Sequence, residues 1–316
     1  TKEVSGAIDS VGGDFNAFTG KEYAGYYVKV AADKINVALD VLSDMLINSK
    51  FDSIEIDKER GVIMEEYNMY QDTPMYQIGW DFEKLVFGDC PMGWDQVGTK
   101  DVIMGVTHEQ FVDYFNKLYT PENIVIAVAG NVDHDWLVKE VKRLFIFNDF
   151  KKSLNYVPFG GYKKDNFVSL KKKKTEQAHL MIGFPGLAEN DEQTYVSKLL
   201  TVILGGNMSS RMFLSVREEK GLAYYISTTM DEYLDCGTFT TSAGVTVSRI
   251  DEAIEAILKE YEKAEKDGVT EKELENAKAY LKGKIILRLE DSEEYAHLLG
   301  KYELLLGKIR SVEDIE

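Results

Sequence analysis

The sequence predicts an α+β fold of two duplicated domains, each a mainly antiparallel sheet with helices packed on one side. Three observations carry that expectation. The chain has 316 residues, too many for one ordinary hydrophobic core, so two domains of roughly 150 residues are expected. Short strand-patterned segments are interleaved with longer segments of helical period. The second half also repeats the element order of the first, which marks a duplicated unit.

The first half reads as follows. Residues 3–11 form a helix stopped by Gly12-Gly13, a C-terminal glycine signal. Residues 15–18 and 23–30 form strands joined by a turn at Thr19-Gly20-Lys21. Residues 33–47 place Ile35, Ala38, Leu39, Leu42, Met45 and Leu46 on one stripe of an amphipathic helix. A helix is expected over residues 52–70, another over 107–118, a short apolar strand over 123–129 ending at Gly130, and a helix over 133–145. Residues 146–166 then change character, mixing Asn, Lys and Tyr with Pro158 and Gly160-Gly161. The linker is placed at 151–166, between a first domain at 1–150 and a second at 167–316.

In the second half, strand-like residues 221–228 and 237–245 correspond to the two early strands. Residues 249–254 match 34–39, and 273–278 match 55–60. On that register Ala277 stands opposite Glu59 and Lys284 opposite Glu66. An acid pair that only one copy carries is not required by the fold, and this points to chemistry.

Composition narrows the function classes. Hydrophobic residues make up 44%, ample for burial. A net charge of −17 argues against nucleic acid or an anionic membrane as the partner, since both call for basic surface. The Lys171 to Lys174 run lacks interleaved aromatics and is expected to be a solvated strand end. With only Cys90 and Cys236, no disulfide framework is expected, and a reducing, cytoplasmic compartment fits. No apolar run reaches the roughly 18 residues of a membrane span. The sequence opens on Thr1 and closes in mid-pattern on Glu316, so both ends are expected to be cuts.

The candidate chemistry lies on the helix at 52–70. Glu59 and Glu66 are seven residues apart, close to two turns, so both carboxylates leave one face. Such a pair is either a solvated edge or half of a metal or acid–base site. Zinc also takes nitrogen or sulfur ligands. The only histidines, His108, His134, His179 and His297, form no i, i+4 pair.

Three segments, in order and spacing, resemble the pitrilysin/insulinase family of zinc peptidases over essentially the whole chain. They are Gly12-Gly13-Asp14-Phe15-Asn16-Ala17-Phe18-Thr19, Lys58-Glu59-Arg60-Gly61-Val62-Ile63-Met64-Glu65-Glu66, and Tyr119-Thr120-Pro121-Glu122-Asn123. The nearest likeness is to single-chain bacterial members similar to mitochondrial processing peptidase. The resemblance implies one zinc ion and hydrolysis of peptide bonds. Glu66 stands at the family's distal ligand, and Glu59 at an acid supporting the site. The family's H-x-x-E-H helix would end roughly ten residues before Thr1, so this chain holds only part of the implied site.

Other positions follow from the same resemblance. Arg217 and Tyr224, within Arg217-Glu218-Glu219-Lys220-Gly221-Leu222-Ala223-Tyr224, match an Arg and a Tyr that close over bound peptide and stabilise an oxyanion. Asn16, Ala17 and Phe18 match an edge strand to which substrate adds, although Phe18 also suits a core. Gly205-Gly206-Asn207-Met208-Ser209-Ser210 is short for a substrate-guiding loop and lacks the ending of a phosphate loop. Relatives of this length pair up, so a homodimer or heterodimer is expected, with Arg217 and Tyr224 completing the partner's site.

Three readings compete. The chain is part of a zinc endopeptidase cleaving peptides or unfolded segments, a non-catalytic peptide-binding subunit of a heterodimeric peptidase, or a structural subunit of a larger assembly. Glu59 and Glu66 favour the first.

Overall fold

The computed structural model describes residues 2–147, 154–162 and 168–310. In chain order the elements begin with α1 (Lys2–Asp9), β1 (Asp14–Thr19), β2 (Ala24–Lys29), α2 (Ile35–Ile47) and α3 (Ser53–Asp72). Next come α4 (Pro74–Phe87), α5 (Lys100–Gly105), α6 (His108–Leu118), α7 (His134–Leu144), β3 (Gln177–Pro185) and α8 (Thr194–Gly205). The last are β4 (Ala223–Glu232), β5 (Gly237–Thr246), α9 (Ile250–Asp267), α10 (Glu271–Leu289) and α11 (Ser292–Leu306). The fold is α+β with antiparallel sheets, and β1-β2-α2-α3 recurs as β4-β5-α9-α10.

Two compact units form. One comprises Thr1–Met64, Gln96–Val157 and Ile286–Glu316, and the other Glu65–Asp95 and Pro158–Ile285. Of the expected linker, residues 151–153 and 163–166 lie outside the described residues. Tyr162, near its end, belongs to the second unit, where its hydroxyl accepts from the Gly237 N–H at 2.8 Å.

In the first unit β1 and β2 pair from Asp14 opposite Lys29 to Thr19 opposite Ala24. Phe18 faces Gly25, and a Cβ there would lie 2.2 Å from its ring. The missing side chain is what lets the ring lie across β2. Gly12 turns the chain out of α1 at φ 67°, a conformation that costs glycine little. On α2 the buried residues Ala38 and Leu39 fall on the expected stripe, joined by Val41. Arg60 on α3 donates to the carbonyls of Ile103 and Val106, which fastens α3 to the end of α5.

The strand expected at 123–129 does not form. Pro121–Asn123 is a 3-10 turn, and Ile124 is extended at φ −126°, ψ 133°, yet residues 124–129 carry no ladder. Among the described residues no strand pairs with them, and an unpaired extended segment is not a sheet strand. With β2, α2 and α11 they instead line a cavity of about 450 Å³.

In the second unit the sheet order is β3-β5-β4. Central β5 is buried along nearly its whole length. Leu180, Ile226, Phe239, Ala243 and Val245 of the sheet pack with Leu204 of α8 and Ala253, Ala256 and Ile257 of α9. Buried hydroxyls pair across the sheet, Thr228 with Thr241 at 2.8 Å, so the polar groups are satisfied. The sequence reading overlooks α4, α5, β3, α8 and α11. In α8 the apolar run Val202-Ile203-Leu204 hides the helical period. Lys171 to Lys174 are exposed but lie before β3 rather than in a strand, and Lys171 pairs with Asp81.

Candidate functional site

On α3 both Glu59 and Glu66 are exposed. Seven residues turn a helix to within about 20° of two full turns and rise about 10.5 Å, so the two carboxylates share one face. Val62 (60% exposed) and Met69 (51%) lie on the same stripe, leaving an acidic and apolar surface open. The repeat partner of Glu59 behaves differently. Ala277 on α10 is 2% exposed and packs with Val202 and Ile203 of α8. One repeat buries a methyl group where the other presents a carboxylate.

Zinc needs more than these acids. Among the described residues no group of three or more His, Cys, Asp or Glu is arranged to hold a metal ion. Two carboxylates on one face supply oxygen donors without the nitrogen or sulfur partners a zinc site uses. The described residues therefore do not by themselves fit the ion. The two most engaged histidines stand elsewhere. The His297 Nε2 lies 2.9 Å from the Tyr23 hydroxyl, and its ring stacks on Phe18 at 4.6 Å. The His179 Nδ1 lies 3.0 Å from the Tyr225 hydroxyl. Burial pushes both imidazoles below their ordinary value, favouring the neutral form.

β1 hydrogen-bonds to β2 alone, so its other edge is open among the described residues. Asn16 and Ala17 are exposed there, and the Asn16 side-chain oxygen accepts from the Ala17 N–H at 2.8 Å. Phe18 is half-buried, with Tyr23 edge-on at 5.7 Å, and lines the cavity wall.

Arg217 and Tyr224 each occupy a backbone irregularity. Arg217 lies in a π-helix, Phe213–Glu219, a form concentrated at functional sites. Its guanidinium is over the Phe213 ring at 4.4 Å and 3.8 Å from the Glu218 carboxylate. Tyr224 is the extra residue of a β-bulge, because Ala223 pairs with Val245 and Tyr225 with Gly244. Its side chain is 78% exposed. Bulges re-aim side chains in this way, and a large aromatic so presented is available to a ligand.

Two family models match the chain, "Insulinase (Peptidase family M16)" over residues 1–81 and "Peptidase M16 inactive domain" over residues 105–281. The second alone covers more than half of the sequence. The chain belongs to peptidase family M16. Among curated M16 relatives, the uncharacterized zinc protease YmxG of Bacillus subtilis is 38% identical over 99% of this chain and 76% of its own length. The uncharacterized zinc protease SCO5738 of Streptomyces coelicolor is 36% identical over 99% of this chain and 70% of its own length. Two solved structures share the fold. The peptidase M16 inactive domain from Pseudomonas fluorescens has a TM-score of 0.84 at 19% identity, covering 96% of this chain and 73% of its own. A protease from Helicobacter pylori has a TM-score of 0.83 at 20% identity, covering 96% and 75%.

Phe213, which the guanidinium of the candidate residue Arg217 lies over, is one that sequence reasoning passes over. Its signal is its place four residues before Arg217, a spacing that brings side chains together along a helix. The Tyr224 bulge has no such signal, since it arises from a mismatch between two paired strands.

Proposed function

We propose that the protein is a zinc-dependent endopeptidase acting on peptides or unfolded protein segments, with this chain supplying peptide-holding surfaces and one metal ligand, Glu66. The observation that carries the reading is the contrast between α3 and α10. An exposed Glu59 and Glu66 stand on one copy, while Ala277 is buried on the other. A carboxylate oxygen at Glu66 suits zinc, and Glu59 on the same face suits orienting a neighbouring ligand. Nitrogen ligands would complete such a site.

Substrate adds in extended form to the open edge of β1 beside Asn16 and Ala17, where backbone hydrogen bonds give affinity with little sequence demand. Supplied to a partner chain's site, Arg217 and Tyr224 would donate hydrogen bonds to the peptide carbonyl on which negative charge develops. A homodimer or heterodimer would let these two residues complete a partner's site. With only two cysteines, Cys90 and Cys236, no disulfide framework is needed, which fits a cytoplasmic setting. Among the described residues no helix is long and apolar enough to cross a membrane.

The test is hydrolysis of an internally quenched peptide by the product of the complete gene. Activity lost to a chelator, restored by zinc and abolished by Glu66→Gln supports the reading. Hydrolysis indifferent to chelation overturns it. No hydrolysis, together with peptide binding that depends on Arg217, would instead identify the peptide-binding subunit of a heterodimeric peptidase.

A further inference from the structure

We infer that Phe213 is a positioning residue, whose ring face holds the Arg217 guanidinium in place so that its N–H donors stay available for peptide. The inference rests on Arg217 holding peptide, as proposed above. Three observations point to it. The guanidinium carbon lies over the Phe213 ring at 4.4 Å, well inside the range of cation–π attraction. The ring is itself fixed, being half-buried and packed against the core of the second unit. Among the described residues Arg217 has an ion pair only with Glu218, at 3.8 Å and largely exposed, too distant for a directed hydrogen bond.

The choice of partner matters chemically. A carboxylate placed to hold an arginine takes up its N–H groups, often two at once. An aromatic ring carries no lone-pair acceptor, so it attracts the cation while leaving its N–H donors to other acceptors. A long side chain that would otherwise lose rotamer freedom on binding is thereby ordered beforehand, which favours binding. The π-helix Phe213–Glu219 carries both groups and so fixes their relative placement.

The experiment measures binding of a fluorescein-labelled, unstructured peptide of mixed sequence by fluorescence anisotropy. The comparison covers the wild-type chain, Phe213→Leu, Phe213→Trp, Arg217→Ala and the Phe213→Leu/Arg217→Ala double variant. Phe213→Leu keeps apolar volume without a ring and is expected to weaken binding by about two- to fivefold, the range a cation–π contact supports. Phe213→Trp should bind at least as well as wild type. In the Arg217→Ala background Phe213→Leu should have no further effect, since Phe213 acts only through Arg217.

A proton NMR signature separates positioning from general packing. The Arg217 side-chain resonances should be shifted upfield by the ring in the wild type and return toward ordinary values in Phe213→Leu. If Phe213→Leu unfolds, Phe213→Met fills the site with a flexible chain and is read in the same way. Equal losses from Phe213→Leu with and without Arg217, or no loss while Arg217→Ala weakens binding, would overturn the inference. If Arg217→Ala binds as well as wild type, the peptide-holding role of Arg217 falls, and this inference with it.

Discussion

Replacing Glu273 by Gln removes one charge from the junction that ties the approach to the Arg217 π-helix to α10. The Glu273 carboxylate accepts from the Arg211 Nε at 2.6 Å and Nη2 at 2.8 Å. It also accepts from the Thr270 N–H at 2.7 Å, while the Thr270 hydroxyl oxygen accepts from the Glu273 N–H at 3.2 Å, a reciprocal capping box. Chiefly through the hydrogen bond from Arg211, the carboxyl is held down from 4.5 to about 2, against the opposing pull of its partial burial. That gap corresponds to roughly 3 kcal/mol at about 1.4 kcal/mol per pH unit. With the Glu273 side chain 29% exposed, solvent screening reduces this to about 1–2 kcal/mol.

The sign is fixed by the direction of the shift. Because the carboxyl is more acidic folded than unfolded, its contribution is fully present above pH 4.5 and is lost as pH falls toward about 2. Gln keeps an acceptor oxygen for Thr270 but does not titrate. Urea unfolding should therefore show Glu273→Gln about 1–2 kcal/mol less stable than wild type at pH 7. The midpoint of thermal unfolding should be lower by roughly 3–8 °C. The difference between the two proteins should shrink steadily below pH 4.5. A difference that stays constant down to pH 2.5, or none at pH 7, would refute the role assigned to the Arg211 pair.

Three further outcomes are expected. Glu59→Ala and Glu66→Ala, both at exposed positions, should leave stability within about 0.5 kcal/mol of wild type by urea unfolding. In the complete gene product each should impair zinc-dependent hydrolysis. Gly25→Ala brings a Cβ to 2.2 Å from the Phe18 ring, which the His297 stack holds in place. Denaturant titration should find a loss of about 1–3 kcal/mol, much smaller when Phe18 is also replaced by Ala. Tyr224→Phe removes only a hydroxyl from a residue 78% exposed, so thermal unfolding should be unchanged. Steady-state peptide hydrolysis should lose on the order of a hundredfold in kcat if the hydroxyl stabilises the oxyanion.

By itself the sequence determined what lies within single elements. The α2 stripe, the β1 and β2 hairpin, the repeat of strand pair and helices, and the common face of Glu59 and Glu66 all follow from local period. Period is a property of a few consecutive residues and needs no knowledge of what packs on them. Only the tertiary structure decided what each face meets. Ala277 is buried because α8 lies on it, and α8 itself has too continuous an apolar run to be read as a helix. Residues 124–129 have the composition of a strand but pair with no strand among the described residues. Tyr224 is turned outward because β4 carries one residue more than β5 can pair. Arg217 lies over Phe213 because the core behind that ring fixes it. Apart from the four-residue spacing of Phe213 and Arg217, each of these depends on groups distant in the chain or on mismatch between elements, and neither leaves a mark in local spacing.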